Sequence, residues 1–221
     1  MIFLWIALYG MAYSAGCFLS GTAGPGSWVT AGFMAAYCLA FLSWILRRDD
    51  HTRIGLVPVR LTALAAHPGM AALLLLPAYN LLFCGLPVFS PAAWVLSMST
   101  ALVEELFFRG YLLAYLKKWK PIPRILAVSG AFAILHGANL LVGFPADYVA
   151  MQILTAFLTG VLYCIAALRL RSILPGIAAH IFSNVTGAEG HPAHIWILIL
   201  VSAVCCLWLG YDIGLTEKER Q

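Results

Sequence analysis

Ala101-Leu-Val-Glu-Glu-Leu-Phe-Phe-Arg-Gly110 places Glu104, Glu105 and Arg109 inside an apolar run that extends from Ala92 to Leu116. A run of this length reads as a transmembrane helix, since roughly 20 apolar residues cross the hydrocarbon core. Near the bilayer centre each charge costs on the order of 3 kcal/mol even on the cheapest scale. Such groups persist in lipid only where they face protein or water and have a task. His136, and the pair His180 and Asn184, lie in later apolar runs. The economical reading is that all of them meet in one site.

The composition supports a membrane fold. Of 221 residues, 62% are hydrophobic and 10% charged, whereas a soluble domain is about half apolar and a quarter charged. The expected fold class is all-α: a polytopic membrane helix bundle of about eight transmembrane helices. It forms a single integral membrane domain over residues 1–221, with no room for a separate soluble one. The net charge of +4 does not make a nucleic-acid surface, because the basic residues are confined to short loops. The six cysteines sit in apolar runs without CxxC or zinc-type spacing. They read as small packing residues rather than a disulfide framework.

The first apolar run, 2–20, has no basic residue before it and reads as a retained helix rather than a signal peptide. A turn-rich loop, 21–27, leads to a second span from Trp28 to Leu46. The polar loop Arg47–Arg53 and an interfacial piece to Arg60 follow. The third span covers about 70–86. Ser90-Pro91 is a helix start signal for a fourth span that Lys117-Lys-Trp-Lys120 closes. The fifth and sixth run from about 125 to 144 and from 148 to 168. The seventh is a short helix opened by Leu174-Pro175-Gly176 and ended by Gly187, and an eighth covers about 195–209.

Charge orients the bundle. Of 13 Lys and Arg residues, all but Arg109 lie in the loops after spans two, four and six or in the C-terminal tail. Basic residues stay on the cytoplasmic side, which puts the N-terminus outside, the C-terminus in the cytoplasm and an even number of spans between. The expected location is a plasma (inner) membrane of the bacterial type.

Counting from the basic anchors puts the polar groups at one depth. Glu104 precedes Lys117 by 13 residues, or ~20 Å on a helix. His136 lies 12 residues past Arg124, ~18 Å from the same side. His180 and Asn184 follow Arg171 by 9 and 13 residues, at ~14 and ~20 Å. Glu105 and Arg109, Phe132 and His136, and His180 and Asn184 are each four residues apart, so each pair shares a helix face. Glu104 points elsewhere, free for another role. Plainer readings exist for each group: a structural Glu105–Arg109 ion pair, histidines bonding backbone carbonyls, and Asn184 as helix–helix glue.

Together the three motifs, Glu104-Glu105-x-x-x-Arg109, Phe132-x-x-x-His136 and His180-x-x-x-Asn184, resemble the CPBP family of intramembrane proteases. That family includes the type II CAAX prenyl endopeptidases and the bacteriocin-processing or immunity proteins of the Abi group. The resemblance covers a core at about residues 91–190. It implies an intramembrane endopeptidase in which Glu104 activates water and His136 helps hold it. His180 and Asn184 would stabilise the oxyanion, with Glu105, Arg109 and Phe132 in support. The implied partners are the lipid bilayer and a membrane-anchored protein or peptide: a prenylated tail, a leader peptide or a C-terminal sorting signal.

No metal is favoured as cofactor. Glu104, His136 and His180 could form a His₂Glu zinc set, but the HExxH zinc helix is absent and Asn is a poor zinc ligand. Two further readings compete with proteolysis. One is a non-hydrolytic scaffold or immunity factor using the same cavity. The other is a proton-coupled transporter, against which the sequence shows no inverted repeat.

Overall fold

The computed structural model describes residues 2–21, 27–48, 51–59 and 90–186, with isolated positions between 62 and 82 and between 196 and 207. The expected third and eighth spans, 70–86 and 195–209, lie outside the continuously described residues, as does Gly187. Every regular element among the described residues is helical. The helices are α1 (Ile2–Ser20), α2 (Trp28–Arg47), α3 (Pro91–Glu105), α4 (Pro121–Leu135), α5 (Ala146–Leu170) and α6 (Leu174–Thr186). A π-helical stretch, Leu106–Leu112, and a last turn, Leu113–Tyr115, carry α3 onward. The 3-10 stretch His136–Val142 continues α4.

The helix ends follow local chemistry. Ser27 caps α2, its Oγ accepting from the backbone N–H of Val29 at 3.2 Å and of Thr30 at 3.4 Å. Ser90 caps α3 through the Ala93 N–H at 3.4 Å, with Pro91 at the first helical position, where a missing N–H costs nothing. Pro121 opens α4 four residues earlier than the expected start at 125, because proline is tolerated in a first turn. The 3-10 stretch stops at Gly143, whose φ of 93° is left-handed.

Among the described residues, three helical segments are long and apolar enough to cross a membrane: Trp28–Arg47, Pro121–Leu141 and Ala146–Leu170. α1 and α6 are shorter. Phe18, Leu39 and Ile134 point outward and are exposed, as lipid-facing side chains would be, while Met34, Phe41, Leu106, Val128, Phe132 and Leu162 fill the interior. The chain is a helical membrane protein.

α1 packs on α2, α2 on α3, α3 on α6, and α4 on α5. The α1–α2 contact is close because Gly16 has no side chain: a Cβ there would lie 2.8 Å from Thr30 Cα. Trp5, Tyr37, Phe41 and Trp44 interlock along this seam at centroid separations of 5.1–6.1 Å, and the Tyr37 hydroxyl donates to the Trp5 carbonyl.

The segment after α2 differs from the expected interfacial piece. Ile54 is 2% exposed, seated in the notch left by Gly110, where a Cβ would come within 3.2 Å of Ile54 Cβ. The Gly55 carbonyl accepts from Ile173 N–H at 2.9 Å, and the Ser172 hydroxyl donates to the Val57 carbonyl at 2.6 Å. The loop therefore clamps the α5–α6 corner, where Arg171 turns through a left-handed φ of 52°, and so sets where α6 begins.

Candidate active site

The site is built on the junction between α3 and its π-helical continuation. Glu104 and Glu105 end the α-helical part, and Arg109 sits in the widened turns that follow. Single π turns of this kind recur at functional sites, because they turn side chains toward a neighbour that a regular helix would miss.

Glu105 is completely buried and forms the hub. Its Oε1 accepts from Arg109 Nη1 at 2.9 Å and from His180 Nδ1 at 2.9 Å. Its Oε2 has no hydrogen-bond partner and faces the start of α6, where a Cβ on Gly176 would lie 3.4 Å away. The Arg109 guanidinium lies over the face of Phe132 at 4.2 Å and of Tyr163 at 5.5 Å, a cation–π arrangement suited to a dry interior. Gly160 of α5 leaves room for it: a Cβ there would be 3.2 Å from Arg109 Nη2 and 3.3 Å from Ser129 Cα.

Glu104, 8% exposed, faces the other way, as its 100° offset on the helix predicts. It accepts a hydrogen bond from the Tyr9 hydroxyl of α1, and its Oε2 lies 3.6 Å from His180 Nε2. His180 thus stands between the two neighbouring carboxylates, with Nδ1 toward Glu105 and Nε2 toward Glu104. A carboxylate only accepts, so Nδ1 carries a proton. The Arg109 guanidinium supplies the buried counter-charge to Glu105, and removing one member of such a pair inside a protein is strongly unfavourable.

His136 begins the 3-10 stretch. Its Nδ1 lies 3.0 Å from the Phe132 carbonyl, which can only accept, so Nδ1 is the donor, and in the neutral ring Nε2 keeps a lone pair. The Phe132 ring meets His136 edge-on at 4.8 Å and His180 at 6.0 Å. One aromatic side chain therefore spaces the two imidazoles and the guanidinium.

Glu104, His136, His180 and Asn184 line one cavity of about 320 Å³. Its other walls come from Tyr9, Tyr13 and Ser14 of α1, Ser97 and Thr100 of α3, and the Asn139–Gln152 pair, which is hydrogen-bonded at 2.7 Å. Asn184 sits toward the open side and is exposed. Among the described residues, no three His, Cys, Asp or Glu side chains are gathered closely enough to hold a metal ion, Glu104, His136 and His180 included.

The sequence does not place Tyr9, Tyr163, Gly160 or Gly176 at the site, although Gly176 marks a helix start. For Tyr9 a signal existed: Tyr9, Gly10, Tyr13 and Ser14 recur at helical spacing and form one small or polar stripe in an apolar helix. Tyr163 and the two glycines carry no such pattern, because what they contribute is space and surface at a contact.

Residues 86–186 match the family described as Rce1-like, the type II CAAX prenyl endopeptidases. No curated protein and no solved structure matches the chain. The matched stretch takes in all three motifs and every helix from α3 to α6, and over that stretch the chain is similar to the type II CAAX prenyl endopeptidases.

Proposed function

We propose that the chain is an intramembrane endopeptidase that hydrolyses a peptide bond in a membrane-associated or lipidated protein tail. Glu104 activates the water, and no metal takes part. The carrying observation is that Glu104, His136, His180 and Asn184, from three separate helical segments, open onto one cavity. Glu105, by contrast, is sealed behind them.

Water held by Glu104 and the free Nε2 of His136 attacks the scissile carbonyl, and Glu104 takes the proton. His180 Nε2 and the Asn184 amide donate to the oxyanion that forms. Such fixed donors are each worth about 3–4 kcal/mol in other hydrolases. The Glu105 carboxylate at Nδ1 provides the negative charge that a doubly protonated His180 needs. Collapse of the tetrahedral intermediate breaks the C–N bond, and Glu104 returns its proton to the leaving amine. The similarity to CAAX prenyl endopeptidases makes a prenylated C-terminal tail the first substrate to test.

Around this site we infer eight spans with the N-terminus outside and the C-terminus in the cytoplasm of a bacterial-type plasma membrane. The distribution of Lys and Arg supports that reading.

Detergent-purified wild type and Glu104→Gln, each with and without a chelator, would be assayed on prenylated and unprenylated tail peptides. The expected outcome is cleavage that survives chelation and disappears with Glu104→Gln. Loss on chelation that zinc restores would replace the glutamate mechanism with a metal-dependent one. Cleavage at the wild-type rate by Glu104→Gln would refute the role of this carboxylate.

A further inference from the structure

Glu104 sits in the family-matched stretch, but the group that holds it does not. Tyr9 belongs to α1, 95 residues away in sequence, and its hydroxyl donates to Glu104 Oε1. We propose that Tyr9 is a positioning residue for Glu104, so that α1 completes the active site. The inference rests on the reading of Glu104 as the water-activating group.

A carboxylate has two equivalent oxygens and turns about its last torsion, whose preference is broad. A donor anchored to a neighbouring helix removes that freedom. With Oε1 bound to Tyr9, Oε2 is the oxygen that faces His180 Nε2 at 3.6 Å and remains free to take a proton. Water's proton therefore passes to Oε2 and leaves from Oε2 to the departing amine, while Tyr9 keeps its own proton throughout.

Tyr9 is well placed to be a rigid donor. It is 9% exposed, its ring meets Tyr37 edge-on at 6.0 Å, and Tyr37 is itself locked into the aromatic seam with Trp5 and Phe41. Gly16 lets α1 approach α2 closely enough for this register to exist. Tyr13 and Ser14, one helical turn further along, face the same cavity. α1 is therefore a wall of the site as well as a neighbour of α2.

The test compares wild type, Tyr9→Phe and Tyr37→Phe on a quenched-fluorescence peptide ending in a farnesylated cysteine and three further residues. Tyr9→Phe keeps the ring and removes only the donor. Its kcat should fall on the order of tenfold, as expected for one hydrogen bond to a charged group, with KM within about twofold, the pattern of an interaction used in the transition state. Tyr37→Phe keeps the ring that meets Tyr9 and loses only the hydroxyl that donates to the Trp5 carbonyl, so it should keep its kcat. Wild-type kcat in Tyr9→Phe, or a loss carried by KM alone, overturns the proposal.

A second readout is independent of turnover. Infrared difference spectra isolate the Glu104 carboxylate bands as wild type minus Glu104→Gln, and again in the Tyr9→Phe background. The bands should shift when the hydroxyl is removed, and unshifted bands overturn the proposal. If wild type leaves the peptide intact, the prenyl-peptidase reading fails on that substrate, and the infrared comparison alone decides whether Tyr9 positions Glu104.

Discussion

Glu104 and Glu105 are neighbours in the chain with opposite environments, so the same substitution at each should have different consequences. Glu105 is fully buried and accepts from two partners, Arg109 and His180, each at 2.9 Å. Glu105→Gln leaves the Arg109 guanidinium, also fully buried, without its counter-charge. One of the new amide's atoms would also occupy the Oε2 position, which has no hydrogen-bond partner. Removing one member of a buried pair costs about 3–5 kcal/mol. At position 104 a carboxamide oxygen can still accept from Tyr9, and one weakened hydrogen bond costs about 1 kcal/mol. The two variants should therefore differ by roughly 2–4 kcal/mol, or about 30- to 1,000-fold in unfolding constant.

The assay is SDS-induced unfolding in mixed micelles, followed by fluorescence of the seven tryptophans. Glu105→Gln should unfold at a clearly lower SDS fraction and lose activity, because His180 is released. Glu104→Gln should unfold close to wild type and be inactive. Equal midpoints for Glu105→Gln and wild type, or a greater loss in Glu104→Gln, would refute the assignment of Glu105 as the structural hub.

Two glycines offer further tests. Gly16→Ala puts a Cβ 2.8 Å from Thr30 Cα, so α1 and α2 must separate. The overpacking penalty of about 1–3 kcal/mol exceeds the gain in helix propensity of up to about 1 kcal/mol. Activity should fall together with the SDS midpoint as Tyr9 withdraws from Glu104, and an unchanged midpoint would refute the close contact. Gly160→Ala crowds Arg109 Nη2 at 3.2 Å and Ser129 Cα at 3.3 Å, a milder clash against one movable and one backbone atom. It should lower activity with a smaller change in stability than Gly16→Ala, and full activity would show that Arg109 needs no such room.

The sequence was sufficient to find the helices among the described residues, because apolar runs report burial in lipid or protein wherever the fold puts them. It also paired Glu105 with Arg109 and Phe132 with His136, since contacts four residues apart depend only on helix geometry. The pairing of His180 with Glu104 and Glu105 is of another kind. Common depth made it plausible, but which nitrogen meets which carboxylate depends on how α6 is rotated against α3. That rotation is set by the loop at Ile54 and the corner at Arg171.

The π-helical turns after Glu105 were not legible, because their cause lies in neighbours rather than in a local pattern. The same is true of the hydrogen bond from Tyr9. A single tyrosine in an apolar helix looks like packing until another helix brings a carboxylate to it. What this sequence determined alone was which groups are too costly to leave unpaired in a membrane. Tertiary structure decided how they pair, because the contacts join residues up to 95 positions apart and their geometry depends on how closely glycine-bearing helices can approach.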